Sequence, residues 1–105
     1  MQNFRTIKGT YDLLPDELII WREVENFIHS IMQQSGYGEI RTPAFENTEL
    51  FVRGIGTDTD IVTKEMYSWT DQGGNTLTLK PELTAPVARA YLQHQLGNQN
   101  PIHRL

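Results

Sequence analysis

The longest regular apolar pattern in the chain runs through Leu18, Trp21, Val24, Phe27, Ile28, Ile31 and Met32. Steps of three and four keep these side chains on one face of a helix of 3.6 residues per turn. Pro15-Asp16-Glu17 supplies the start, since a first-turn proline loses no hydrogen bond and acids favour the N-terminal dipole. Ser35-Gly36 supplies the stop, with Gly36 suited to the left-handed cap position. The spacing predicts a helix over residues 15–35. Ile19 and Ile20 widen its apolar face, so more than one surface packs near its start.

Shorter patterns flank this helix. Residues 4–12 read as an extended segment that turns at Gly9. Residues 37–42 read as a strand halted by Pro43, with Ala44 and Phe45 continuing the extended path. Asn47 or Thr48 is placed to cap a short helix over residues 49–52, closed by Gly54. Residues 54–60 are loop-like. Residues 65–70 alternate as a strand, and Asp71-Gln72-Gly73-Gly74-Asn75 is a hairpin turn. That turn joins the strand antiparallel to a second one at residues 76–80. A helix over residues 85–96 follows, then a polar connector at 97–101. Residues 102–105 read as a strand begun and unfinished, the mark of a fragment. The pattern predicts an α+β fold with a small, mostly antiparallel sheet and helices packed on it.

The junction at Leu79-Lys80-Pro81-Glu82-Leu83-Thr84-Ala85 carries the most chemistry. Pro81 ends the strand because it has no N–H to donate, and Pro86 fits the first turn of the next helix. Two readings stand side by side. In one, Thr84 is the helix N-cap and Glu82 a solvated loop acid. In the other, the carboxylate and the hydroxyl hold an ammonium group at a strand end, where open sheets commonly place ligands.

Composition narrows the class. A chain of 105 residues is one domain at most. Nine basic residues against thirteen acidic give a net charge of −4, and the six arginines form no stripe, which argues against a general nucleic-acid grip. There is no cysteine, hence no disulfide frame and no thiolate metal site. No apolar run approaches the roughly 20 residues that span a bilayer, and residues 1–5 lack the order of a signal peptide. The expected compartment is the cytoplasm. His29, His94 and His103 show no metal-binding spacing. Gly54-Ile55-Gly56-Thr57-Asp58 lacks the lysine of a phosphate loop. No metal site and no nucleophilic triad is expected.

Several segments together resemble one family. Lys8-Gly9-Thr10-Tyr11-Asp12-Leu13-Leu14-Pro15 is similar to the N-terminal signature of histidyl-tRNA synthetases. The long helix followed by Tyr37-Gly38-Glu39-Ile40-Arg41-Thr42-Pro43 resembles motif 1 of class II aminoacyl-tRNA synthetases. Residues 48–51 and 59–67 look like the segments that follow, and Leu79–Ala85 resembles the family's Leu-Arg-Pro-Glu-x-Thr-Ala motif. Lys80 stands where arginine is common, and Leu83 where some members carry glycine.

The resemblance implies a partial class II catalytic core and, for the parent, a cytoplasmic homodimeric ligase. Such an enzyme activates histidine with ATP and Mg2+ and passes the histidyl group to its tRNA. Carried over by position, Glu82, Leu83 and Thr84 form the histidine-binding segment, with Glu82 and Thr84 on the α-amino group. Trp21, Ile28, Tyr37, Ile40 and Pro43 fall in the motif 1 dimer interface. No catalytic residue is assigned here, because motifs 2 and 3 and the anticodon-binding domain have no matching segment. The chain alone is therefore expected to be inactive, to bind no cofactor tightly and to self-associate. The alternative is the non-catalytic regulatory subunit of ATP phosphoribosyltransferase, which shares the fold.

Overall fold

The structure, a computed structural model, describes residues 3–55 and 66–98. The expected loop beyond Ile55, the family-like segment at 59–65, His103 and the closing strand at 102–105 lie outside the described residues. The chain divides into two compact units, Met1–Gly38 and Glu39–Leu105.

The first unit is built on helix α1, Pro15–Gln34. Leu14 takes the extended backbone imposed on a residue before proline, and the Leu18 amide donates to its carbonyl at 3.0 Å. At the other end Gly36 has φ +82°. Its amide donates to the Gln33 carbonyl at 3.1 Å, and the Tyr37 amide to the Met32 carbonyl at 2.9 Å. These two bonds make a Schellman ending, which satisfies carbonyls the helix leaves open. Upstream, Gly9 turns the chain at φ +91°, and both the amide and the hydroxyl of Thr10 donate to the Ile7 carbonyl. No residue of α1 is buried. The periodic apolar face is present, yet Phe27 and Ile28 keep half or more of their surface exposed.

The second unit contains strand β1 (Phe45–Asn47), helix α2 (Thr48–Ile55), strands β2 (Ser68–Thr70) and β3 (Thr76–Leu79), and helix α3 (Thr84–Gln93). A short 3-10 turn at Leu96–Asn98 follows α3. The sheet is antiparallel, with β3 between β1 and β2. The predicted hairpin joins β2 to β3. Oδ1 of Asp71 accepts the amides of Gly73 at 2.9 Å and Asn75 at 2.8 Å, and Gly74 supplies φ +85°.

Four boundaries differ from expectation. Of the expected strand 37–42 only Tyr37 makes a single β-bridge; residues 38–42 form no strand, and continuous pairing starts at Ala44, whose carbonyl accepts the Lys80 amide at 3.0 Å. An alternating sequence becomes a strand only where its backbone joins a continuous ladder, and the described ladders pair β3 with residues 45–47 and 68–70. Helix α2 runs through Gly54 to Ile55 instead of closing there. Strand β2 begins at Ser68, although the Tyr67 carbonyl still accepts the Leu79 amide at 3.0 Å. Helix α3 ends at Gln93, and Gln95 leaves it with φ +54°.

The sheet faces also run against simple hydropathy. Glu46, Thr78 and Ser68 share one face by register, and Phe45, Leu77, Leu79 and Trp69 share the other. Thr78 is fully buried, while Phe45, Trp69 and Leu79 are each 40% exposed or more. The hydroxyl of Thr78 lies 2.7 Å from those of both Thr48 and Ser68, so its polar atom is satisfied inside. Helix α2 packs on this face and brings the fully buried Phe51. On the apolar face Phe45 and Trp69 meet edge to face with centroids 5.6 Å apart.

Candidate functional site

Sheet order decides what surrounds the strand-to-helix junction. The central strand β3 delivers Pro81 and Glu82 to the start of α3, beside α2 and β1. At this start Leu83 occupies the N-cap position and Thr84 is the first helical residue. No side chain at the N-cap position makes a capping bond, so the expected role of Thr84 as N-cap is corrected.

Glu82 satisfies the amides instead. Its Oε2 accepts the amide of Thr84 at 2.6 Å, and Oε1 accepts that of Ala85 at 3.0 Å, with Oε2 also 3.3 Å from the same nitrogen. A capping threonine is thereby unnecessary, because the open donors of the first turn already have a charged acceptor. Nor is Glu82 a freely solvated acid; its residue is half-buried. An ionised carboxylate has about four lone-pair sites, so accepting these two amides leaves it room for a further donor.

Glu82 and Thr84 line one side of an open groove of about 840 Å³. Its floor is largely apolar, with Leu50 from α2 and Ala85, Ala88 and Leu92 from α3. Arg53 of α2 and Arg89 of α3 add cationic groups, and Gln93 adds an amide. The Nε of Arg89 donates to Oε2 of Glu46 on β1 at 2.9 Å, and one terminal nitrogen donates to Oε1 of Gln93 at 2.7 Å. A fixed carboxylate beside an apolar floor can hold a cationic head whose body is partly apolar.

Glu82 and Thr84 meet at one groove, while Leu83 between them is exposed and does not line it. Of the residues expected at a dimer interface, Trp21, Ile28 and Tyr37 lie in the first unit and each exposes more than 40% of its surface. Ile40 and Pro43 lie in the second unit, half-buried and exposed respectively. Lys80 points back along the chain, its Nζ 3.2 Å from both the carbonyl and the hydroxyl oxygen of Thr42. Arg89, Glu46, Leu50 and Arg53 are missed by sequence reasoning. The spacing of Ala85 and Arg89, four apart on one helix, is the only signal that places Arg89 near Glu82. Nothing in the sequence gives the β1–β3 register that brings in Glu46.

Among the described residues no group of three His, Cys, Asp or Glu side chains is placed to hold a metal ion. No helix among them is long and apolar enough to cross a membrane.

This arrangement of helices on an antiparallel sheet has counterparts in known proteins. A crystal structure of apo S. aureus histidyl-tRNA synthetase matches with a TM-score of 0.77 and 38% identity, covering 95% of this chain and 23% of that one. A Bacillus halodurans protein described as an ATP phosphoribosyltransferase regulatory subunit/histidyl-tRNA synthetase matches with a TM-score of 0.74 and 28% identity, over 94% and 25% of the two chains. The architecture is thus α+β and that of part of a class II aminoacyl-tRNA synthetase catalytic core.

In sequence, the profile described as histidyl-tRNA synthetase matches residues 9–105. The histidine–tRNA ligase of Chloroherpeton thalassium is 59% identical over 99 residues, covering 93% of this chain and 23% of the relative. That of Desulforudis audaxviator is 60% identical over 89 residues, covering 85% and 21%. The chain belongs to the histidyl-tRNA synthetase family. It spans about a quarter of the length of these curated relatives.

Proposed function

We propose that this chain supplies the amine-binding part of a histidine–tRNA ligase. In that enzyme the carboxylate of histidine attacks the α-phosphorus of ATP, pyrophosphate leaves, and the histidyl group then passes to the 3′ end of its tRNA. The single observation that carries the reading is the Glu82 carboxylate, held by the amides of Thr84 and Ala85 at the edge of a groove. A carboxylate fixed in advance meets an ammonium without first losing side-chain freedom, which favours tight, oriented binding. The hydroxyl of Thr84, on the same groove wall, is a second acceptor for that ammonium. Leu83 serves as the spacer between the two.

The reading extends to partners. Magnesium accompanies ATP in this proposal, and the described residues offer no carboxylate cluster for it, so no step is assigned to the ion here. The apolar face of α1, with Trp21 and Ile28, and the segment through Tyr37, Ile40 and Pro43 are proposed to meet a second copy. The working compartment is proposed to be the cytoplasm.

Adenylate formation also needs cations on the phosphates as charge moves in the transition state. The motifs that carry them in the family have no matching segment in these 105 residues. The chain by itself is therefore proposed to be inactive. Histidine-dependent ATP–pyrophosphate exchange tests both parts: the full-length ligase gives exchange and the 105-residue chain gives none. Exchange by the short chain overturns its inactivity, and none by the full-length protein overturns the ligase reading.

A second reading, a regulatory subunit of ATP phosphoribosyltransferase, draws support from the description of the Bacillus halodurans structure. The higher identity to the S. aureus synthetase and to the named ligases favours the enzyme.

A further inference from the structure

Glu46 is an unusual acid for this chain. It sits on β1 opposite Thr78, its side chain is only 9% exposed, and its partner is Arg89 of α3, 2.9 Å away and 27% exposed. Arg89 in turn lines the same groove as Glu82, one helical turn beyond Ala85, whose amide Glu82 accepts. Among the described lining residues Glu82 is the single carboxylate and shares the groove with two arginines, Arg53 and Arg89. Released from Glu46, the Arg89 guanidinium has Glu82 as the one carboxylate among the described residues of that groove. A Glu82–Arg89 pair compensates the carboxylate's charge and so competes with an incoming ammonium.

We infer that Glu46 is a positioning residue for amine recognition: by holding the Arg89 guanidinium on β1 it keeps that cation from competing with a primary ammonium ligand for the Glu82 carboxylate. Gln93 helps by taking a terminal nitrogen of Arg89 at 2.7 Å, which turns the guanidinium along its own helix. The partly buried setting strengthens the Glu46–Arg89 attraction beyond that of a surface pair. Glu46 itself does not line the groove and need not touch the ligand. This inference rests on the reading that Glu82 and Thr84 hold the amine of histidine.

The test is steady-state ATP–pyrophosphate exchange by the full-length ligase at saturating ATP, with kcat and the histidine KM measured for E46Q, E46Q/R89M and E82Q. Glutamine at 46 still offers an oxygen to Arg89 but removes the charge. E46Q is expected to raise the histidine KM about tenfold, the loss of roughly one charge-assisted bond, with kcat within about twofold. Adding R89M removes the freed cation, and the double variant is expected to return to within about threefold of the wild-type KM. A double variant as impaired as E46Q, or an unchanged KM in E46Q beside a raised KM in E82Q, overturns the inference alone. An unchanged KM in E82Q overturns the amine reading beneath it. Thermal melting of each variant is the control: a lowered melting temperature with an unchanged histidine KM assigns Glu46 a purely structural role and also overturns the inference.

Discussion

Oε2 of Glu82 lies 2.6 Å from the amide nitrogen of Thr84, two residues ahead of it. One carboxylate thus caps helix α3 and faces the groove, so the group that starts the helix is also the group proposed to read the substrate. The two roles separate under mutation. Glu82→Ala removes both and is expected to destabilise the fold by about 1 kcal/mol, the usual cost of a lost cap. Glu82→Gln keeps an oxygen for the amides and loses the charge. It is expected to melt close to wild type while raising the histidine KM of the full-length ligase by about ten- to a hundredfold. Equal melting losses in the two variants contradict the separation.

Thr78 is a second residue with a testable job. Thr78→Val preserves shape and removes the hydroxyl that joins Thr48 to Ser68. Thr48 is half-buried and Ser68 exposed, so water can replace part of the loss. The expected cost is about 1 kcal/mol in urea denaturation, at the low end for a buried hydrogen bond. A neutral or stabilising result contradicts the role given to this hydroxyl chain.

The hairpin turn carries a pH signature. The amide and the side chain of Asn75, and then the amides of Gly73 and Gly74, hold the Asp71 carboxyl below its ordinary value of 3.8. A carboxyl whose pKa falls on folding stabilises the fold above its unfolded pKa. That contribution is lost as pH drops through the lower, folded value. In an NMR titration Asp71 is expected to reach its midpoint below 3.8, with the amides of Gly73 and Asn75 shifting together. A midpoint at or above 3.8 refutes the turn geometry.

Gly36 tests the end of the long helix. At φ +82° a side chain is strained, so Gly36→Ala is expected to cost about 1 kcal/mol. Hydrogen exchange at the amides of Gly36 and Tyr37 is expected to quicken with it. Unchanged exchange argues against the two capping bonds.

How much of this is legible in the sequence depends on the range of the interaction. Helix α1 is readable end to end, because Pro15, the three-and-four spacing and Gly36 all act within a few residues. The hairpin is readable for the same reason, since Asp71 bonds only as far as Asn75. The sheet faces are not. The alternation Thr76-Leu77-Thr78-Leu79 implies leucines inside, yet Thr78 is buried and Leu79 is exposed. What reverses it is the arrival of Phe51, Thr48 and Ser68 from other elements, and no local pattern encodes that. At the site, Glu82 and Thr84 are legible as a pair, but which one caps the helix is decided by side-chain reach. Glu46 is invisible until the register places it beneath Arg89.

The uncovered surfaces give a prediction about the isolated chain. The face of α1 through Trp21 and Phe27 and the sheet face of Phe45 and Trp69 are both exposed. Apolar patches of this kind drive association in water. Static light scattering at working concentration is expected to give a mass above that of one chain. A monomer mass across the concentration range contradicts it.

The central claim is that Glu82 recognises the ammonium group of histidine. Its most direct measurement is the competition of L-histidine and of its des-amino analogue, 3-(imidazol-4-yl)propanoate, for the full-length ligase. Wild type is expected to prefer histidine by at least about a hundredfold, the worth of roughly two charge-assisted bonds, and Glu82→Gln to lose most of that preference. A preference that survives in Glu82→Gln unchanged, with both ligands weakened equally or not at all, contradicts the claim.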